Sequence, residues 1–236
     1  MRIRSICRLL LLLPVLSGCN ILGFEHWSWH QKLTVIVQTP SGEIAGSSVS
    51  AVTISRVPTW FGLGDTRGNI STGFSGEAVA LQVSPGKYLF AVLEGYGYET
   101  AWSAFLPART KPRNRAETGE AYSQLQYTRT TRVLPPDLYP LLVTFDDVSD
   151  PLSLKRVERD DLISAFGEGY SLKSVELTIT DEPVTEGVVQ KILPWLDDVG
   201  RERGTIIPNP PRRLRDAADP SLQYLGPLKF STELYK

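Results

Sequence analysis

Leu33-Thr34-Val35-Ile36-Val37-Gln38-Thr39-Pro40-Ser41-Gly42 is the stretch that decides the fold. Leu33, Val35 and Val37 alternate with Thr34, Ile36 and Gln38, the period-two pattern of a half-buried strand. Pro40-Ser41-Gly42 is a turn signal. A second β-rich run follows at Val49, Ala51, Val52 and Ile54. Further on, Val79, Leu81 and Val83 alternate with Ala78, Ala80 and Gln82. Ser84-Pro85-Gly86 then turns the chain into Tyr88, Phe90 and Val92. Residues 32–106 are therefore expected to form a β-sandwich, and the chain as a whole to be mainly β.

Three pieces of this segment carry a resemblance: Thr39-Pro40-Ser41-Gly42 after the opening strand, the run from Gly76 to Val83, and Pro85-Gly86-Lys87-Tyr88. Together they resemble the Ig-like, prealbumin-like or carboxypeptidase-regulatory-like sandwiches. The resemblance implies a module that binds or spaces other molecules and has no catalytic site of its own.

Two groups of residues in the segment are candidate partner-binding positions. Pro58-Thr59-Trp60-Phe61-Gly62-Leu63-Gly64 sets Trp60, Phe61 and Leu63 among loop formers. These side chains either fold back to plug an open end of the sandwich or stay out to touch a partner or a bilayer. Tyr96, Tyr98 and Trp102, spaced by Gly95 and Gly97, either pack in the core or form a platform for carbohydrate or peptide.

Beyond the sandwich the pattern weakens. Residues 107–138 read as a linker or long loop, with Arg109, Lys111, Arg113 and Arg115 as a basic cluster. Such a cluster is either solvated or drawn to anionic lipid and lipopolysaccharide phosphates. Residues 139–199 read as a small α+β unit. Leu141, Val143 and Phe145 form one strand and Val175, Leu177 and Ile179 another; Val188, Ile192 and Trp195 have helical spacing. Its Phe145-Asp146-Asp147, Asp150-Pro151, Ala165-Phe166-Gly167 and Leu193-Pro194-Trp195-Leu196 resemble a block that recurs in uncharacterised proteobacterial proteins. Residues 200–236 read as an extended tail in which Tyr224, Leu225, Leu228 and Phe230 can dock a last short strand.

The N-terminus carries an address. Arg2, Arg4 and Arg8 precede an apolar run at residues 9–13, the layout of a signal peptide over residues 1–18. A spanning helix needs about 20 apolar residues, and this run is much shorter. Leu16-Ser17-Gly18-Cys19 resembles the lipobox of bacterial lipoproteins. That resemblance implies lipid on the Cys19 sulfur, cleavage before it, acylation of the new N-terminus and a lipidated tether over residues 19–31. A second residue other than Asp, here Asn20, leans by the same analogy toward the outer membrane. Within the tether, His26 and His30 are four apart, but a strand pattern begins immediately afterwards, so the shared helix face that a metal pair needs is not expected, nor is a metal site.

Composition narrows the remaining classes. The net charge is -1, which argues against a nucleic-acid binder. The two cysteines are Cys7, in the signal, and Cys19, so a processed protein has neither free thiol nor disulfide and depends on an apolar core. No dinucleotide-binding glycine fingerprint, P-loop, His-Glu-x-x-His, Cys-x-x-Cys or Gly-x-Ser-x-Gly occurs. Asp146, Asp147 and Asp150 match no calcium loop, and Asp160-Asp161 and Asp197-Asp198 read as solvated pairs. No cofactor is expected. The expected function is a membrane-anchored, periplasm-facing lipoprotein that binds or scaffolds another envelope protein. The alternatives are an envelope glycan or peptidoglycan hydrolase and a carbohydrate-binding module.

Overall fold

The alternation at residues 33–38 extends in both directions into a 15-residue strand, β1, Glu25–Thr39. The computed structural model describes residues 23–106, 112, 114–196, 219–222 and 225–235. Within β1 the odd residues from Trp27 to Thr39 face inward and the even ones face out. The expected tether thus ends earlier than residue 31. Trp27 and Trp29 are 5% and 4% exposed, and they carry the strand pattern back through the two histidines.

Pro40 and Ser41 turn β1 into β2, Gly42–Arg56, in unbroken antiparallel register from Thr39↔Gly42 to Glu25↔Arg56. Strand β3, Ile70–Ser75, lies outside β2, while β9, Ser171–Thr180, and β6, Thr131–Val133, lie beyond β1. The second sheet has the order β4, Val79–Ser84; β5, Lys87–Ala91; β7, Leu142–Phe145; β8, Leu154–Arg156. The two sheets share one apolar core. Leu33, Val35, Val37, Val52, Ile54, Val175, Leu177 and Ile179 come from the first, and Val79, Leu81, Val83, Leu89, Ala91 and Leu142 from the second. Each Val, Leu or Ile side chain among these stabilises the fold by about 1.5–3 kcal/mol when fully buried. Gly46, opposite Val35, lets the sheets close: a methyl group there would lie 3.0 Å from the Leu81 Cβ.

Sheet membership does not follow the sequence boundaries expected above. Strands β7 and β8, from residues 139–199, complete the sheet begun by β4 and β5; β9 completes the sheet begun by β1. Local periodicity identifies a strand but not its partner, which long-range packing selects. The expected linker at 107–138 is also structured in part. It holds the 13-residue helix α2, Arg115–Tyr127, which follows the eight-residue α1, Tyr98–Phe105, and it holds β6. Asn114 caps α2 by accepting a hydrogen bond from the Glu117 N–H at 3.0 Å.

The second sheet is buried on both faces. Its outer face, with Ala78, Phe90, Val143, Phe145 and Leu154, packs against Val189, Leu193, Trp195, Leu196, Leu222, Leu225 and Phe230. Two short helices, α3, Ile163–Phe166, and α4, Val188–Ile192, belong to the later chain. The described part of the expected tail is therefore docked. Phe230 is fully buried, its carbonyl accepts from the Ala78 N–H at 2.8 Å, and Ser231 bridges to Glu77. Leu228 stays 40% exposed, and Tyr224 lies outside the described residues. Glu77 fastens this layer from inside. Its carboxylate accepts from the Val188 and Val189 N–H groups at 3.0 and 3.2 Å, and burial pushes its carboxyl above the usual range.

Candidate contact surface

Because Glu25 pairs with Arg56, the chain enters β1 and leaves β2 at the same end of the hairpin. The loop at residues 58–69 projects from that end. A hydrogen bond from the Val57 N–H to the Asn69 carbonyl, 2.9 Å, closes its base. Inside it, the Phe61 N–H donates to the Pro58 carbonyl at 3.1 Å and the Thr66 hydroxyl donates to the Leu63 carbonyl at 2.9 Å. The loop is thus folded on itself, yet its apolar side chains point away from the core: Trp60 is 61% exposed, Phe61 50% and Leu63 84%. Of the two expectations for these residues, the plug is the one that fails. The sandwich end is already closed by Trp27, Tyr122 and Trp102, whose rings meet at centroid distances of 5.2 Å. Phe24, just before β1, joins the exposed group. Its ring lies 5.0 Å from Phe61 and 5.9 Å from Trp60, both edge-on. Sequence reading placed Phe24 in a tether and so missed it, although the Phe24, Trp60 and Phe61 rings converge at this tip.

Directly beneath sits a charged support. The Arg56 side chain, 2% exposed, donates to both oxygens of Glu25 at 2.5 and 2.6 Å and to the Arg115 carbonyl at 2.7 Å. Its guanidinium lies 5.1 Å from the Trp27 ring centroid. Arg56 hydrogen bonding holds the Glu25 carboxyl below the usual range. Arg115, expected in a solvated basic cluster, donates to the Val57 carbonyl at 2.7 Å and reinforces the loop base. Arg109, Lys111 and Arg113 lie outside the described residues.

The second group separates. Tyr96 is a core residue: its ring packs edge-on to Phe74 at 5.7 Å, its hydroxyl faces Gln31 and Ser50, and burial pushes the phenol well up. This corrects its assignment as a partner-binding position, because the residue is 6% exposed and packed in the core, where the Tyr96 hydroxyl and Ser50 Oγ are buried without a hydrogen-bond partner among the described residues. Tyr98 and Trp102 instead line an open groove of about 330 Å³ between α1 and α2, with Glu99, Pro112, Thr118 and Tyr122. Burial, then the neighbouring Glu99 carboxylate, raises the Tyr98 phenol.

Three of the acidic side chains, Asp146, Glu158 and Asp161, meet at one hollow of about 160 Å³. Asp146 pairs with Lys155 at 2.5 Å, and Glu158 with Arg156 at 2.8 Å. The Ser164 hydroxyl and N–H donate to Asp161 and hold its carboxyl below the usual range. Asp160 is 88% exposed beside Arg159. Asp146, Glu158 and Asp160 are thus paired with cations, and Asp161 is held by Ser164. Asp147 and Asp150 cap their own turn through Ser149 and Leu152, and Asp197 and Asp198 lie outside the described residues. His26 and His30 share one face of a strand, where four residues span ~13 Å, too far for one metal. No group of three potential metal ligands occurs among the described residues.

Cys19 and the signal lie outside the described residues. No described helix is long and apolar enough to cross a membrane. No family model, no curated protein and no solved structure matches the chain.

Proposed function

We propose that the protein is a lipid-anchored, periplasm-facing envelope protein that binds or scaffolds another envelope protein, with the outer membrane favoured by Asn20. The observation that carries this reading is Leu16-Ser17-Gly18-Cys19, placed behind a basic and apolar leader and four residues ahead of Gly23. In its support, the acidic candidates Asp146 and Asp160 lie open to solvent beside Lys155 and Arg159. Within this reading the two facing sheets follow a prealbumin-like plan, to which α2 and the C-terminal layer are additions. Lipid on Cys19 supplies the membrane attachment, and several acyl chains make it stable where one does not.

Chemical crosslinking in the native envelope, followed by mass spectrometry, tests the binding role. The expected result is a reproducible envelope partner; a protein recovered uncrosslinked in repeated experiments contradicts it. One observation favours a second reading. The open aromatic groove at Tyr98 and Trp102 offers ring surface beside a carboxylate, Glu99, as a carbohydrate site would. Glycan-array binding that Trp102→Ala abolishes would select this reading over the scaffold, and an array without signal would dismiss it.

A further inference from the structure

We infer that Trp60, Phe61 and Leu63, with Phe24, insert into the headgroup region of the bilayer that holds the Cys19 acyl chains, and so fix the orientation of the whole domain. The inference rests on the lipid anchor proposed above. Covalent geometry gives the first argument. Gly23 is four residues after Cys19, and a chain extends at most ~3.3–3.6 Å per residue, so the start of the fold stays within ~14 Å of the Cys19 Cα. Phe24 stacks on the loop tip at that same end, 5.0 Å from Phe61. The opposite end of the hairpin, at Ser41, is remote: 14 steps of ~3.3 Å along β1 separate it by roughly 46 Å.

The second argument is chemical. Leu63, 84% exposed, has the highest exposure of any large apolar side chain among the described residues. A Trp beside Phe and Leu is the composition that settles at a membrane–water interface, where the indole N–H stays wet and the ring is buried. The loop at 58–69 carries one Asp, Asp65, and one Arg, Arg67; it is formally neutral and needs no anionic lipid. The third argument is size. A stable protein–protein interface uses about 20–30 residues a side, and this tip offers four. A bilayer asks for no matching shape.

The test uses the full chain, processed in cells and carrying one added thiol. L63C bears an environment-sensitive fluorophore at the tip, and S41C bears it at the far turn; both positions are exposed, so neither change disturbs the core. Each protein is reconstituted into phosphatidylcholine vesicles, with and without phosphatidylglycerol, containing a lipid with a nitroxide on its acyl chain. A palmitate analogue fed to the cells reports lipid on Cys19 independently. The expected result is analogue on Cys19, loss of most of the emission at position 63, and none at position 41. Analogue on Cys19 without quenching at position 63 overturns the insertion and leaves the anchor standing. Quenching that requires phosphatidylglycerol overturns apolar insertion in favour of charge attraction. No analogue on Cys19 overturns the anchor, and the inference falls with it.

Discussion

Arg56 shows how one side chain couples the hairpin, α2 and the exposed loop. It is buried, doubly hydrogen-bonded to Glu25 and stacked on Trp27. Removing one partner of a fully buried ion pair costs about 3–5 kcal/mol; Glu25 is 20% exposed and keeps Arg115 at 3.4 Å, so about 2–3 kcal/mol is expected here. Arg56→Ala should lower the unfolding free energy in urea by about that amount; a loss under about 1 kcal/mol would contradict the role given to it. Its partner makes the effect pH-dependent. The folded Glu25 carboxyl titrates below its unfolded value, ~4.3–4.5, so its contribution is present above that range and is lost as pH falls through the folded value. Glu25→Gln should therefore reduce stability at pH 7 and weaken the decline in urea midpoint below about pH 4.5. An unchanged acid limb in that variant would show that Glu25 is not responsible. None of this was legible in the sequence, because Glu25 and Arg56 lie far apart along the chain and meet only through the 15-residue register of β1 and β2.

At the scale of the element, α2 provides the sharpest prediction because its sign is unusual. Gly→Ala within a helix normally stabilises by ~1 kcal/mol. Gly119, however, faces Arg56 Nη2 at 3.0 Å and Trp27 Cζ2 at 3.2 Å from the place a Cβ would occupy. Gly119→Ala should thus lower the thermal midpoint by several degrees, corresponding to about 1–3 kcal/mol of crowding; a higher midpoint would mean that α2 does not sit this close to β1. The helix was poorly legible. Its buried face is only Gly119, Tyr122 and Leu125, and the basic cluster before it resembles a loop. The one clear sign was Asn114 three residues ahead of Glu117, the spacing of a reciprocal cap. Strand β1 was legible because its alternation is strong, and its early start could have been read from Trp27 and Trp29. The exposed tip was legible as one of two alternatives, and sequence cannot choose between them. The choice depends on whether another element closes the sandwich end, and α2 does so through Tyr122.

At the scale of the whole molecule, three layers stand in order: the first sheet, the second sheet, and the C-terminal segment. The third layer was illegible because short 3₁₀ turns and isolated apolar residues show no period, although Phe230 fills the space between Phe90, Phe145 and Trp195. Phe230→Ala should cost about 3–5 kcal/mol in urea unfolding. A cost below about 1 kcal/mol would show that the layer is dispensable. The polarity of the molecule follows from β1. One end carries the aromatic tip and the start of β1, and the other carries the turn at Pro40 and Ser41. In the proposed reading, orientation, reach toward a partner and localisation all depend on acylation of Cys19. The most direct test is the intact mass of the N-terminal peptide from the protein purified out of the cell envelope. The account predicts a peptide that begins at Cys19 and carries acyl groups on its sulfur and amine; an unmodified Cys19, or a mature chain beginning at any other residue, would contradict it.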